Sequence, residues 1–283
     1  MGVVIEMKDV TYTYPLSKTP VIQGVSLKIE SGRFYGVIGE NGSGKTTLCN
    51  LIRGFAPGFY KGELKGQVLV EGKPTIEYGE GELSLRIGYV FQNPFNQISG
   101  VKDTVFEEVA FGLENFGVPA DEIEERVVEV MKLTKIEELA EKNPFALSGG
   151  QQQRAALASI IVLEPDILVI DEPTSQLDPE GTESVFEIIY EMKKARKTIL
   201  LVEHKTDLIA EYADEVFVMS GGRIIKNGLT QDVLSDMSLL ESGVRLPRMA
   251  LLGSELRARG LQLPYIPVTE KQGVELLRDY TGR

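Results

Sequence analysis

Gly39-Glu40-Asn41-Gly42-Ser43-Gly44-Lys45-Thr46 has the spacing G-x-x-x-x-G-K-[ST] of a phosphate-binding loop. In such a loop the backbone N–H groups from Asn41 to Thr46 close around phosphate oxygens. Lys45 then reaches the β- and γ-oxygens, and the Thr46 hydroxyl is positioned to ligate Mg²⁺. A second cradle follows at Leu147-Ser148-Gly149-Gly150-Gln151. Ser148 offers a hydroxyl, Gly149 and Gly150 leave the backbone open to an anion, and Gln151-Gln152-Gln153-Arg154 opens a helix whose positive end faces that anion. This second loop reads as a γ-phosphate sensor. Asp171-Glu172 ends an apolar strand, so both carboxylates emerge at the strand's C-terminal edge, where α/β folds bind ligands. The only histidine, His204, follows a second strand, Thr198-Ile199-Leu200-Leu201-Val202.

The scaffold that positions these groups can be traced by period. Phe34-Tyr35-Gly36-Val37-Ile38 reads as a buried strand running into the first loop, and Thr47-Leu48-Cys49-Asn50-Leu51-Ile52 as the helix leaving it. Before them, Val3–Met7 and Gly24–Ile29 read as strands, and Gly66–Gly72 adds another flanked by glycines. From about Asp103 the period becomes helical. Phe106, Val109, Ala110 and Leu113 share a face, capped by Asp103 and stopped by Gly117. A second helix places Ile123, Val127, Val130 and Met131 inward and Glu124, Glu125 and Glu129 outward. The α/β pattern resumes at Ile167-Leu168-Val169-Ile170, a continuous apolar run of the kind central parallel strands show. After Gly228, Pro247 begins a tail helix with Met249, Leu252 and Leu256 on one stripe. Thr269 and Gln272 form a capping box that opens another helix, carrying Val274, Leu276 and Leu277. That apolar stripe is expected either to cover the chain's own core or to meet a second subunit.

A chain of 283 residues can bury one substantial core with residues left for a subdomain or tail. Its net charge of −12 argues against non-specific nucleic-acid binding, which needs a basic face. Cys49 is the single cysteine, placed as a small apolar core residue, and fits a reducing cytosol. The N-terminus alternates like a strand and shows no signal-peptide pattern. The longest apolar run, Ala155 to Leu163, is far short of the ~20 residues that span a bilayer. A membrane role is therefore expected to come through a partner.

Taken in order, these segments resemble the motifs of the ATP-binding cassette (ABC) ATPases over about residues 3 to 228. The resemblance implies an α/β P-loop NTPase core with an antiparallel β subdomain, an inserted helical subdomain at about 93–163, and a short C-terminal helical extension. Residues 1–230 would form the nucleotide-binding domain and 231–283 the extension, a candidate dimer contact. It also implies roles. Gly39 to Thr47 hold the phosphates, and Ser148, Gly149, Gly150 and Gln151 close over the nucleotide of a partner subunit. Asp171 matches the Walker B aspartate that holds Mg²⁺ largely through water, and Glu172 the general base for the attacking water. Pro173-Thr174-Ser175-Gln176-Leu177-Asp178 continues the pattern into the D-loop. His204 matches the switch histidine, flanked by Glu203 and Lys205 where relatives more often carry Ser or Thr and Asp. Gln92, after Ile87-Gly88-Tyr89-Val90-Phe91, resembles the Q-loop glutamine that touches Mg²⁺ or the water, with Asn93-Pro94 as a hinge. Tyr14 aligns with the aromatic residue that stacks on adenine, and strand alternation then turns Tyr12 to the opposite face.

Val90-Phe91-Gln92-Asn93-Pro94-Phe95-Asn96-Gln97, with Phe95 where an Asp is usual, looks like the segment of energy-coupling factor (ECF, cobalt-transport-type) importer ATPases. Ser159, Leu246-Pro247 and Leu256-Arg257-Ala258-Arg259-Gly260 point the same way. This closer resemblance implies an ATP- and Mg²⁺-dependent subunit at the cytoplasmic face of the cell membrane, powering import of vitamins or transition-metal ions. Its partners would be a second ABC ATPase, identical or paralogous, a transmembrane coupling protein and a substrate-capture membrane protein, with no nucleic acid. The alternatives are the ATPase of another ABC transporter type and a soluble ABC ATPase acting on nucleic acid or ribosomes. The latter usually carries a tandem second cassette or long coiled coil, and this chain has neither. A regulatory module without turnover is opposed by Glu172 and His204.

Overall fold

The computed structural model describes residues 2–79 and 81–281. Its strands in chain order are β1 (Val3–Thr13), β2 (Ile22–Glu30), β3 (Phe34–Gly39), β4 (Glu63–Val70), β5 (Lys73–Pro74), β6 (Ile87–Val90), β7 (Ile167–Asp171), β8 (Thr198–Val202), β9 (Glu215–Ser220) and β10 (Arg223–Leu229). The chain divides into two compact units. One comprises Ser31–Arg33 and Glu77–Leu200, the other Gly2–Glu30, Phe34–Ile76 and Leu201–Arg283. Strand β8 carries the chain from the first to the second.

In the second unit, β2-β1-β4-β5 form an antiparallel sheet in that order, with Met7 of β1 opposite Leu27 on one side and Val68 on the other. Strand β1 runs past the expected Met7 to Thr13, and a register irregularity between Met7 and Val10 interrupts its alternation, with Asp9 at φ 47°. In the same unit β3 lies parallel to β9, which pairs antiparallel with β10. Phe34, Tyr35, Val37 and Ile38 of β3 are all buried, as a central parallel strand requires. The helix leaving the first glycine-rich loop is Lys45–Ile52, so it starts two positions earlier than the apolar period suggests, and Cys49 sits in its buried face.

The tail also belongs to the second unit. Its helices are Arg248–Ala258 and Glu270–Thr281. Pro247 occupies the N-cap of the first, and Thr269 and Gln272 form the expected reciprocal pair at the second: each backbone N–H donates to the other's side chain, at 3.2 and 3.3 Å. The apolar stripe differs from expectation. Ala250 and Gly253 are the buried positions of Arg248–Ala258, whereas Leu251 and Leu252 are exposed and Met249 and Leu256 only partly covered. Close approach explains it: a Cβ on Gly253 would meet Pro267 Cδ at 2.5 Å, and one on Gly273 would meet Met249 Cε at 1.9 Å. Small residues define this inner face, so a hydrophobic period alone misplaces it.

In the first unit β6 pairs parallel with β7, and the helices Val105–Asn115, Ala120–Leu133, Gly149–Ile161 and Pro179–Lys194 complete the set of long elements. Thr104, not Asp103, caps the first of these. Its side chain accepts from Glu107 N–H at 3.2 Å while Glu107 accepts from Thr104 N–H at 3.1 Å, a capping box that an aspartate one position earlier cannot close. Val127, Val130 and Met131 are buried, Ile123 is half-buried, and Glu124, Glu125 and Glu129 face solvent as expected. Glu108 is a buried carboxylate: its two oxygens accept the Ser99 N–H and hydroxyl, each at 2.7 Å, tying the segment after Gln92 to Val105–Asn115. Among the described residues no helix is long and apolar enough to cross a membrane.

Candidate functional site

The second unit holds the first glycine-rich loop. Strand β3 delivers the chain to Gly39, whose φ of 152° and closeness to β9 leave no room for a side chain; a Cβ there would lie 2.2 Å from Met219 O. The loop then opens outward. Asn41, Gly42 and Thr46 are exposed, and nothing lies within 4 Å of where a Gly42 Cβ would be. The Lys45 ammonium folds back and donates to Gly39 O at 3.1 Å and Glu40 O at 3.0 Å, inside the loop it serves. Ser43 presents a buried hydroxyl that makes no hydrogen bond among the described residues. A buried hydroxyl without such a bond, beside the Gly39–Thr46 backbone, is what an anion would satisfy. The Glu40 side chain runs along Gly243 of the tail, where a Cβ would come 1.7 Å from its carboxylate.

Thr47 is buried behind the loop, and its hydroxyl shares a hydrogen bond with Tyr14 OH at 3.2 Å. Tyr14 is therefore fixed against the helix that starts the cradle. Tyr12 does not turn away from it. Strand β1 ends at Thr13, alternation stops there, and the two rings meet edge to face at 4.9 Å. Tyr12 is fully buried, and burial first, then the neighbouring Tyr14, raises its phenol pKa, so it stays a proton donor. In the same unit His204 follows β8. Its backbone N–H donates to the Glu203 carboxylate at 2.8 Å, and Glu203 N–H in turn donates to Val37 O at 3.3 Å. Glu203 is buried, so it braces the turn that presents His204. Asp207, three residues on, accepts the Arg248 N–H at 2.8 Å and its guanidinium at 3.1 Å, so the helix after His204 holds the start of the tail.

The first unit holds the carboxylates and the second glycine-rich loop. Asp171 is buried at the end of β7 and accepts from Tyr89 OH at 3.4 Å. Glu172 sits at φ 46°, a left-handed conformation that costs a non-glycine residue about 1–3 kcal/mol and clusters at functional sites. Gln92 donates its side-chain amide to Glu172 Oε2 at 2.8 Å, which brings two expected site residues together. Asp178 caps Pro179–Lys194, accepting from Gly181 N–H at 2.7 Å. Ser148 caps Gly149–Ile161 in a box with Gln151: Gln151 Oε1 accepts from Ser148 N–H at 3.0 Å. Ser148 and Gly149 are exposed, with nothing within 4 Å of a Gly149 Cβ, so the loop's face is open. The supporting roles of Glu203, just after β8, and Tyr89, on β6, are not evident from spacing.

Among the described residues no group of three or more His, Cys, Asp and Glu is placed to hold a metal. Thr46 in the second unit offers a hydroxyl and Asp171 in the first a carboxylate, each a hard oxygen donor of the type that suits Mg²⁺. The residues present fit that ion.

Comparison with known proteins decides the family. The family model described as "ABC transporter" matches residues 22–175. An ABC transporter ATP-binding protein of Pyrococcus abyssi is 44% identical over 260 residues, covering 91% of this chain and 92% of the relative. The chain belongs to the ABC transporter family. Like the ABC transporter ATP-binding proteins it matches, it is an ATPase with the P-loop fold of their cassettes. It is also 40% identical to the energy-coupling factor transporter ATP-binding protein EcfA of Methanocaldococcus jannaschii, over 88% of each chain. Among solved structures it is similar to cbiO1 of Clostridium perfringens, part of the ABC transporter complex cbiONQ, with a TM-score of 0.74 and 35% identity over 89% of this chain and 99% of that one.

Proposed function

We propose that this ABC ATPase powers an ECF-type importer of vitamins or transition-metal ions by closing as a dimer around ATP. The observation that carries the reading is its 40% identity with EcfA over nearly the whole chain, supported by the likeness to cbiO1. Lys45, the backbone from Asn41 to Thr46, and Ser43 bind the phosphates. Tyr14 stacks on adenine, and Thr46 and Asp171 hold Mg²⁺, which when bound would neutralise phosphate charge. Glu172 accepts the proton of the attacking water, which His204 and Gln92 orient. The open Ser148–Gln151 loop supplies donors to the nucleotide of a second ATPase, identical or paralogous, which its exposure supports. Gln92 donates to Glu172, and in this reading Glu172 exchanges that bond for the attacking water.

Residues 1–230 form the nucleotide-binding domain in this reading and 231–283 an extension. Exposed Leu251 and Leu252 on one tail helix and Val274 and Leu277 on the other offer apolar area to the second ATPase. Phe95 and Phe145, exposed and stacked at 6.4 Å in the unit of Gln92, offer area to a membrane coupling protein, which in turn binds a substrate-capture protein. Work at the cytoplasmic face of the membrane follows from those partners. The test is affinity isolation of the tagged chain from native membranes with mass spectrometry of what accompanies it. Recovery of a membrane coupling protein is expected. Recovery of only ribosomal or nucleic-acid components would overturn the importer reading.

A further inference from the structure

The segment Phe59-Tyr60-Lys61-Gly62 leads into β4 and is held to the end of β1 by bonds that leave its aromatic rings outside. The buried Tyr12 hydroxyl donates toward the carbonyls of Tyr60 and Lys61, the latter at 2.6 Å. The N–H groups of Phe59 and Tyr60 both donate to Phe55 O, at 2.7 and 2.8 Å. Gly62, at φ 145°, passes so close to β1 that a Cβ would sit 2.5 Å from Thr13 O. The backbone is therefore tied at every step, yet the Tyr60 side chain is 39% exposed and Phe59 76%. Exposed aromatic surface on a fixed backbone gains nothing from burial in this chain and is suited to contact something else. The Tyr60 ring stands 6.3 Å from that of Tyr14 at 80°, and Phe59 stands 5.1 Å from Tyr60 at 85°. Tyr14 is itself anchored to Thr47, beside the phosphate cradle.

We propose that Tyr60 is a second nucleobase-contacting residue, a wall set at right angles to Tyr14, so that adenine lying on the Tyr14 face meets the Tyr60 ring along its edge. This inference rests on the reading of Tyr14 as the adenine-stacking residue. Edge-to-face aromatic contacts of this kind are worth about 0.5–1.5 kcal/mol, or roughly 2- to 12-fold in affinity. The anchoring bonds run from the Tyr60 backbone, so a side-chain substitution leaves them in place.

The test is calorimetric titration of the full chain with MgATP and with magnesium tripolyphosphate, which lacks the base. Tyr60→Ala is expected to weaken MgATP by roughly 2- to 12-fold while leaving tripolyphosphate affinity unchanged, and Tyr60→Phe to bind both as the parent does. Tyr60→Ala with parental affinity for MgATP, alongside a weakened Tyr14→Ala, would overturn the role of Tyr60 and leave the adenine site standing. Parental affinity in both variants would overturn the Tyr14 reading and this one with it. Equal loss of both ligands in Tyr60→Ala would also overturn it, by showing that the ring only supports the loop.

Discussion

Replacing Lys45 by methionine keeps most of the side-chain length and removes only the ammonium. That ammonium donates to Gly39 O and Glu40 O, at 3.1 and 3.0 Å, and Lys45 is 4% exposed. Glu40 O keeps a donor in Ser43 N–H at 3.2 Å, so Gly39 O bears most of the loss. Hydrogen bonds to charged groups are worth about 1.5–3 kcal/mol, and the relief of burying the ammonium offsets part of that. The expected fall in nucleotide-free stability is therefore about 1–2 kcal/mol. The larger change is in the response to ligand. At a concentration one hundred times its Kd, MgATP stabilises the parent by about 2.7 kcal/mol, which corresponds to roughly 4–5 °C in a chain of this size. With no charge for the β- and γ-phosphates to converge on, the variant should show almost none of that shift. Thermal melts with and without MgATP measure both quantities. A Lys45→Met protein that gains as many degrees from MgATP as the parent would refute the placement of phosphates in this loop.

Glu108→Ala strips both acceptors from Ser99 and should lower stability by about 1.5–3 kcal/mol in chemical denaturation, with Ser99→Ala losing less because the backbone N–H bond remains; a neutral result would show that the segment after Gln92 is held by other contacts. Lys226, then Ser238, holds the Asp236 carboxyl down at about 2 from 3.8. Its stabilising effect is present above pH 3.8 and lost as the pH falls to about 2, so acid melts of Asp236→Asn should lack that part of the parent's loss, and identical acid profiles would contradict the pairing. Leu251→Glu with Leu252→Glu should weaken self-association of the nucleotide-free protein in sedimentation without lowering its melting temperature, whereas a lower melting temperature at unchanged association would make the stripe part of the chain's own packing.

The first glycine-rich loop was legible because its chemistry is local: a strand, a turn of small residues and a helix start lie within a dozen positions, while Ser148 and Gln151 stand at the start of the helix expected after the second. Strands β3, β7 and β8 were legible as unbroken apolar runs. What escaped depends on partners remote in sequence. Tyr12 lies beside Tyr14 because β1 stops at Thr13 and its hydroxyl reaches carbonyls on the segment before β4. The tail's inner face is set by Gly253 against Pro267 and Gly273 against Met249, and glycine carries no weight in a hydrophobic period. The contact of Gln92 with Glu172 and the bracing of His204 by Glu203 need side-chain directions that spacing does not give.

In the proposed mechanism Glu172 is the base for ATP turnover, and phosphate release from MgATP by the purified full chain, parent against Glu172→Gln, measures that role. The parent is expected to hydrolyse ATP, and the variant to be slower by about 10²–10⁴ while still binding it. Equal rates in the two proteins would contradict that role for Glu172.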